Sequence, residues 1–184
     1  NVYATDSPKW LKDLLTNAGV RPINTIVDVT NYLMIGFGQP CHAFDYDRIG
    51  KKKGTPWMKL RASRKGEKLK TLDGKSHTLC GDDIVIEDGT GKLMDLCGIM
   101  GGESSSITNN TKTIVLFTQT YEPIRIRKTM MKLSHRTDAG SLFEKGIDSE
   151  LVLPALLLGI ELLQEIAGGK IASTITDIYP APYT

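Results

Sequence analysis

The sequence predicts an α+β fold in which a mostly antiparallel, β-rich core is flanked by helices. Strand-like segments cluster between residues 57 and 118, whereas helical periodicity appears near both ends of the chain. Strands and helices do not alternate in a βαβ pattern, so a parallel sheet is not expected. Two tight-turn dipeptides, Asp73-Gly74 and Asp88-Gly89, each separate a pair of strand-like segments and indicate antiparallel hairpins.

The first predicted element is a helix that begins at Ser7-Pro8, where a capping hydroxyl precedes a proline at the first helical position. Gly19 is expected to end this helix, because glycine readily adopts the left-handed conformation of a C-cap. One apolar stripe follows its helical spacing, formed by Leu11, Leu14, Leu15 and Ala18.

The next segment, residues 23–32, carries two conflicting signals. Its β-branched residues favour a strand, whereas Val27, Asn31 and Met34 share one helical face. We expect a short strand that turns into a helix, and this helix should end at Gly36 or Gly38.

The middle of the chain is predicted to be β-structure and the last third helical. The predicted strands are 57–62, 68–72, 76–79, 84–87, 92–97 and 113–118, with a glycine-rich loop at 98–102. Pro123 opens one helix, whose inward residues should be Ile126, Met130 and Leu133. Asp148 or Ser149 caps a longer helix that ends at Gly168-Gly169, and the tail 179–182 is typical of a linker.

Composition and charge narrow the class of protein without identifying it. With 184 residues, 40% hydrophobic and 24% charged, the chain is long enough for one domain or for two small ones that share a core. The net charge of +2 predicts no partner, so any contact with nucleic acid must come from local clustering of charge. Because the sequence lacks an initiator Met and ends in the linker-like tail, we expect a fragment of a longer polypeptide.

Cysteine usage and hydropathy indicate a cytoplasmic protein. The three cysteines are widely spaced, and no CxxC pair or zinc-type histidine spacing is present, so we expect neither a disulfide framework nor a metal site. The most apolar stretch, residues 151–160, is too short to cross a bilayer, so we expect no contact with a membrane.

Individual residues leave the chemistry open. His42 follows Gln39-Pro40 and is expected on a loop, where it is either a general base or water-positioning group, or a histidine that only bonds the backbone. A nucleophilic pair with Cys41 is not favoured, because neighbours on an extended segment point apart. The glycines of Gly98–Glu103 either allow close approach to a ligand or make a tight turn.

A basic run lies in the last third of the chain. It has no acidic residue between positions 124 and 137 and consists of Arg125, Arg127, Lys128, Lys132, His135 and Arg136. Such a run either follows a phosphate backbone or forms a solvated helix face. These residues alone define an α+β domain with a possible anionic ligand.

Six blocks, taken together and in order, resemble the editing module of bacterial-type phenylalanyl-tRNA synthetase beta subunits. The resemblance covers residues 7–180. The blocks are Gly19–Tyr32, Gly38–Asp45, Leu72–Gly74, Gly98–Glu103, Arg136–Ala139 and Phe143–Asp148. It implies a single compact module, residues 1–184, made of two intertwined parts.

The resemblance also implies a function, the removal of tyrosine wrongly attached to tRNA(Phe). In this interpretation His42 is catalytic and orients a water or the terminal ribose hydroxyl, without a protein nucleophile. Thr137 and Ala139 would form the wall that sets the size of the pocket. The implied substrate-binding residues are Arg21, Thr30, Asn31, Gly101, Phe117, Thr137 and Ala139.

Three positions depart from the family pattern and bear on selectivity. The family usually has a carboxylate where Phe117 stands, and this carboxylate receives the tyrosine hydroxyl. The family also tends to have Ser and Arg where this chain has Gly140 and Leu142. Three hypotheses therefore remain: an active editing hydrolase, a structural, RNA-binding module whose editing has decayed, and a free-standing module acting in trans.

The resemblance further implies partners and cofactors. The partners would be tRNA(Phe) and the synthetase alpha subunit, with RNA contacts from Arg125, Arg127, Lys128 and Lys132. No cofactor is expected in this part of the protein, since ATP and magnesium belong to the catalytic subunit of the parent synthetase.

Overall fold

A computed structural model of the chain describes residues 2–179 and confirms the α+β class. The described part contains five α-helices: α1 (Lys9–Asn17), α2 (Thr25–Phe37), α3 (Pro123–Leu133), α4 (Asp138–Phe143) and α5 (Val152–Ala167). It contains ten strands: β1 (Cys41–Asp45), β2 (Lys51–Lys52), β3 (Thr55–Pro56), β4 (Met58–Ala62), β5 (Lys68–Lys70), β6 (Ser76–Thr78), β7 (Ile84–Asp88), β8 (Leu93–Leu96), β9 (Met100–Gly101) and β10 (Ile114–Thr118). Every strand pair among the described residues is antiparallel.

Strands β1 and β10 form a two-stranded ribbon that is covered on both faces. His42 pairs with Phe117, so the two side chains lie on the same face, while Ala43 points to the opposite face. The opposite face packs against α2 and α5 in a first apolar cluster, which includes Leu11, Leu15, Ile26, Val29, Leu33, Ala43 and Leu163. Gly159 allows α5 to approach closely, because a Cβ there would lie 2.8 Å from Leu33 Cδ1.

A four-stranded sheet with the order β4-β7-β8-β9 stands next to this ribbon. Between them lies a third apolar cluster, whose buried members are Phe44, Ile49, Ile86, Met94 and Cys97. The other side of the sheet packs with α3 and α4 in a second cluster that includes Val85, Leu96, Ile126, Met130 and Phe143. Strands β5 and β6 form a separate hairpin, and β2 pairs with β3.

The expected strand after residue 23 is wrong, because α2 occupies this region from Thr25 onward. The Asn24 side chain caps the helix and accepts hydrogen bonds from the backbone N–H groups of Ile26 and Val27 at 3.1 and 3.0 Å. The cap and the buried helical face outweigh the strand preference of the β-branched residues. The helix ends at Gly38, which has the predicted left-handed conformation with φ of 73°.

Two predicted loops are also wrong. His42 lies on strand β1, which pairs with the distant strand β10 along its whole length. The segment 98–102 contains β9, which pairs Met100 with Leu96 and Gly101 with Asp95. Sequence analysis missed α4 as well, since this helix spans only six residues and is fixed by its Thr137 cap.

Elements with strong local signals are confirmed. Both hairpins form at the predicted turns, and α1 begins directly after Pro8, with Leu11 and Leu15 buried but Leu14 exposed. The predicted Ser7 cap is wrong, because Pro8 occupies the N-cap position and Ser7 Oγ donates to Asp28 Oδ2 at 2.6 Å. In α3, Ile126 and Met130 are buried as predicted. The last helix begins with a 3-10 turn capped by Asp148 and ends at Gly168. Of the linker-like tail, only Tyr179 falls within the described residues.

Among residues 2–179, every helix is too short or insufficiently apolar to cross a bilayer.

Candidate functional site

His42 stands on the face of the ribbon that looks toward the four-stranded sheet. Its ring meets the ring of Phe44 edge-on, with centroids 4.5 Å apart and an interplanar angle of 75°. Phe44 is fully buried and in turn packs against Phe117, with centroids 5.9 Å apart. The Phe44 ring, itself held by Phe117, therefore limits the orientation of the imidazole.

One ring nitrogen of His42 has no protein partner. Although the residue as a whole is half-buried, its Nε2 is fully buried and makes no hydrogen bond within the described residues. Burial lowers the pKa of His42 from 6.5 to about 4. The imidazole is therefore neutral at physiological pH, and Nε2 can donate to or accept from a water or a ligand hydroxyl.

Cys41 takes no part in this chemistry. Its side chain is on the opposite face of β1 and packs against the first cluster. Its thiol accepts a hydrogen bond from Thr118 Oγ1 at 3.3 Å, and burial raises its pKa to about 11. A thiolate nucleophile beside His42 is thus excluded, as the alternation of side chains along an extended strand predicts.

Gly101 on β9 brings its backbone against the His42 ring. A Cβ at this position would lie 2.5 Å from His42 Cε1, 2.8 Å from Nε2 and 3.0 Å from Leu72 Cδ1. Since real Cβ atoms do not approach so closely, only glycine fits here without moving the imidazole.

Replacing Gly101 by Ala is expected to move His42 and to lower any His42-dependent hydrolysis by roughly 10- to 100-fold, because catalysis is sensitive to shifts of about 1 Å. Gly36→Ala is a matched control, since its Cβ would be 3.8 Å from the nearest atom, in Tyr32. Single-turnover hydrolysis and thermal melting of both variants check this prediction. Equal rates for Gly101→Ala and wild type would contradict it.

Thr137 ties α4 to the strand that carries Gly101. Its hydroxyl donates to the Ile99 carbonyl at 3.0 Å and accepts from the Gly140 backbone N–H at 3.0 Å as the helix cap. Ala139 packs at the edge of the second cluster, which also includes Ile99. The structure therefore places the start of α4 beside the segment that leads into β9.

Three of the implied site residues, Arg21, Thr30 and Asn31, come from the N-terminal part of the chain. Arg21 is exposed, Asn31 is half-buried, and the buried Thr30 donates its hydroxyl proton to the Val27 carbonyl within α2 at 2.7 Å. Within the described residues, no hydrogen bond, ion pair or ring contact joins any of them to His42. The buried side of α2 packs on the opposite face of the ribbon. Their place in a shared pocket stays a prediction.

Phe117 gives the face around His42 an apolar side chain. It is half-buried, packs in the third cluster and offers no acceptor for a hydrogen bond. The sequence patterns did not point to a further carboxyl group, that of Asp95 on β8, the strand that pairs with β9. Asp95 is buried on β8, where it pairs with both Ile86 of the third cluster and Gly101.

Asp95 belongs to a small buried polar group beside the third cluster. Burial raises its pKa to about 7, against the opposing effect of a hydrogen bond with the Cys97 thiol. Burial also raises the pKa values of Cys97 and Tyr121, both of which interact with Asp95. The sequence signal was an isolated Asp within an otherwise apolar strand, Leu93-Met94-Asp95-Leu96.

Four residues of the basic run lie on α3, whereas His135 is buried just after this helix and Arg136 forms an ion pair with Glu144. Arg127, Lys128 and Lys132 are exposed, whereas the half-buried Arg125 forms an ion pair with Asp82 at 3.5 Å. Three cations of the run are thus directed to solvent without an acidic partner among the described residues.

The chain belongs to a known class of domain, the B3/4 domain family, whose model matches residues 1–168. Among curated proteins, it is 42% identical over 184 residues to the phenylalanine–tRNA ligase beta subunit of Carboxydothermus hydrogenoformans, covering 100% of this chain and 22% of that protein. It is 46% identical over 171 residues to the phenylalanine–tRNA ligase beta subunit of Streptococcus thermophilus, covering 93% of this chain and 21% of that protein. The chain therefore spans about a fifth of the length of these relatives.

A solved structure, the N-terminal fragment of the phenylalanyl-tRNA synthetase beta subunit from Pyrococcus horikoshii, superposes with a TM-score of 0.45. The sequence identity is 14%, and the match covers 72% of this chain and 42% of that chain. This likeness carries no argument about function.

Proposed function

We propose that this chain is the editing module of a phenylalanyl-tRNA synthetase beta subunit and hydrolyses tyrosyl-tRNA(Phe). The observation that carries the proposal is the neutral, unbonded Nε2 of His42 facing the bare backbone of Gly101. The names of the relatives support the synthetase context. In that context the partners are tRNA(Phe) and the alpha subunit, which holds ATP and magnesium, and the location is the cytoplasm.

The proposed reaction is the hydrolysis of an aminoacyl ester. A water attacks the ester carbonyl, the bond between the carbonyl carbon and the ribose oxygen breaks, and the proton of the water ends on the released ribose hydroxyl. His42 Nε2 orients the water or the ribose hydroxyl by a hydrogen bond, which a neutral imidazole can make in either sense. No covalent intermediate with the protein is needed, since the Cys41 thiol lies on the other face of β1.

Removal of tyrosine in a second, editing pocket suits the chemistry of phenylalanine and tyrosine. A synthetic pocket for phenylalanine excludes tyrosine poorly, because tyrosine differs only by an added hydroxyl. An editing pocket can select tyrosine if it hydrogen-bonds that hydroxyl, since phenylalanine would leave the pocket's polar group unpaired. With Phe117 at the position where the resemblance implies a carboxylate, we infer that this selectivity is weak.

A second candidate function follows from the apolar side chain at Phe117. A module that has lost editing but still binds RNA and assembles the synthetase would retain the fold and tolerate the apolar Phe117. The two functions differ in one measurement, the rate at which the intact synthetase releases tyrosine from tyrosyl-tRNA(Phe) relative to the spontaneous rate. Hydrolysis that depends on His42 favours the editing hydrolase.

The exposed basic face of α3 is proposed to contact the tRNA. Replacing Arg127, Lys128 and Lys132 together by Gln should weaken tRNA binding by the intact synthetase and reduce the salt dependence, lowering the slope of log K against log salt by about 2. Fluorescence titrations of tRNA(Phe) at several salt concentrations measure this slope.

A triple variant of Lys51, Lys52 and Lys53 is the matched control, because it removes the same charge from another exposed segment. Its salt slope should equal that of the wild type. An unchanged slope in the α3 variant would show that the basic run is a solvated face.

A further inference from the structure

Three potential metal ligands meet at the turn end of the β5–β6 hairpin. Asp73 lies in the turn of the hairpin, His77 on β6, and His135 just after α3. The ligand atoms that these side chains offer all lie within 4.8 Å of one another. The two imidazole rings have centroids 4.8 Å apart, and His135 Nε2 is 3.9 Å from Asp73 Oδ2.

Both histidines are buried with an unused nitrogen. His77 is 8% exposed and His135 is 6% exposed. The Nε2 atom of each is fully buried and has no hydrogen-bond partner within the described residues. Buried polar atoms are normally satisfied, so two orphaned imidazole nitrogens beside one carboxylate point to a ligand that bonds to both.

The carboxylate is held in place for this role. Thr71 Oγ1 donates to Asp73 Oδ1 at 2.6 Å, which leaves Oδ2 directed toward the histidines and toward Lys75 Nζ at 3.2 Å. The Lys75 side chain is 64% exposed and free to turn into solvent, whereas the two imidazoles are not. The Asp73 side chain is partly exposed, so an ion can enter the cluster from solvent on this side.

We propose that Asp73, His77 and His135 form a binding site for a divalent transition metal of the zinc type, with water as the fourth ligand. Two imidazole nitrogens and one carboxylate oxygen are a typical zinc donor set. Zinc–nitrogen bonds of about 2.0–2.1 Å require the three ligand atoms to draw together by roughly 1.5 Å, which side-chain rotation supplies. Magnesium and calcium are disfavoured, since they prefer oxygen ligands.

The metal would join two separate parts of the fold. Leu72, next to Asp73, reaches the surroundings of Gly101, while His135 stands two positions before Thr137, the cap of α4. A bound ion therefore connects the hairpin to the α3–α4 junction, and both of these segments border β9. The proposed metal site does not depend on the proposed editing function. It differs from the expectation from cysteine and histidine spacing, which was that the chain has no metal site.

The test uses Co²⁺ as a spectroscopic substitute for zinc, with the full-length protein that carries this chain after treatment with a chelator. Titration at pH 7.5, where an ordinary histidine is largely neutral, should give the visible absorption bands of tetrahedral Co²⁺ at one equivalent. Zinc should displace the cobalt and raise the melting temperature.

His77→Asn and His135→Gln should each weaken zinc binding at least about tenfold and remove the cobalt bands. Asp73→Asn, which keeps an oxygen for Thr71, should weaken binding without loss of fold; melting in chelator checks all three variants. Cys80→Ser is the control, because Cys80 is an exposed cysteine three positions after His77 and its thiol could itself bind zinc. No saturable binding by the wild type, or binding lost in Cys80→Ser but kept in the histidine variants, would overturn the proposal.

Discussion

Replacing Phe117 by Glu is expected to increase the preference of the synthetase for hydrolysing tyrosyl-tRNA(Phe) over phenylalanyl-tRNA(Phe) by roughly ten- to hundredfold. Phe117 pairs with His42 across the ribbon, so a carboxylate there would face the same space. A phenol hydroxyl buried against a Phe ring lacks an acceptor, which costs about 1–3 kcal/mol. Phe117 is only half-buried, so a carboxylate at this position keeps part of its hydration.

The measurement is single-turnover release of the amino acid from each tRNA by the intact wild-type and variant enzymes. Phe117→Leu is the matched control, because it changes the shape of the side chain without adding an acceptor. A wild type that already clears tyrosyl-tRNA and spares phenylalanyl-tRNA would contradict this prediction. The next acceptor to test would then be the buried carboxyl of Asp95, whose replacement by Asn should remove the discrimination.

Replacing His42 by Ala is expected to lower the hydrolysis of tyrosyl-tRNA(Phe) by about 100-fold or more, the usual contribution of a positioned acid–base group. Because the pKa of His42 is lowered to about 4, the imidazole stays neutral from about pH 5 upward. The His42-dependent rate should therefore show no inflection near pH 6.5 and should fall only as the pH approaches 4. Rates between about pH 4 and 8 test both parts of this prediction.

Cys41→Ser is the control for this variant, since its thiol packs on the opposite face of β1 and is not ionised. It should retain the rate of the wild type. A large loss of activity in Cys41→Ser, or an inflection near pH 6.5 in the wild type, would mean that the chemistry of the site differs from the one proposed.

The same pKa shift predicts how stability depends on pH. The unfolded chain takes up a proton at His42 near pH 6.5, whereas the folded chain resists it until about pH 4. Protons therefore bind the unfolded state preferentially in this window, and the contribution of His42 to stability is lost as the pH falls from 6.5 to 4.

Elements with a strong local signal could be predicted from the sequence. The Asp73-Gly74 and Asp88-Gly89 turns place both hairpins, and Pro123 and Gly168 mark helix ends, because these residues act on the backbone within a few positions. The segment after Ile23 could not be settled in this way. Its β-branched residues conflict with its helical face, and the Asn24 cap and burial against the ribbon decide for the helix.

The candidate site could be predicted only in part. The resemblance implied that His42 and Gly101 line one pocket, and the structure places the Gly101 backbone against the His42 ring. That these residues bind a substrate stays a prediction. That His42 lies on a strand depends on pairing with β10, a contact between distant segments that local patterns do not contain. For the same reason, sequence spacing gave no sign of the cluster of Asp73, His77 and His135.

The central claim is that His42 promotes hydrolysis of an aminoacyl ester on tRNA. The most direct test is the rate of tyrosine release from tyrosyl-tRNA(Phe) by the intact wild-type synthetase, measured beside His42→Ala and the uncatalysed reaction. We expect the wild type to release tyrosine faster than the spontaneous rate, and the His42→Ala variant to lose most of this acceleration. Release at the spontaneous rate by both enzymes would contradict the account and leave a structural, RNA-binding module.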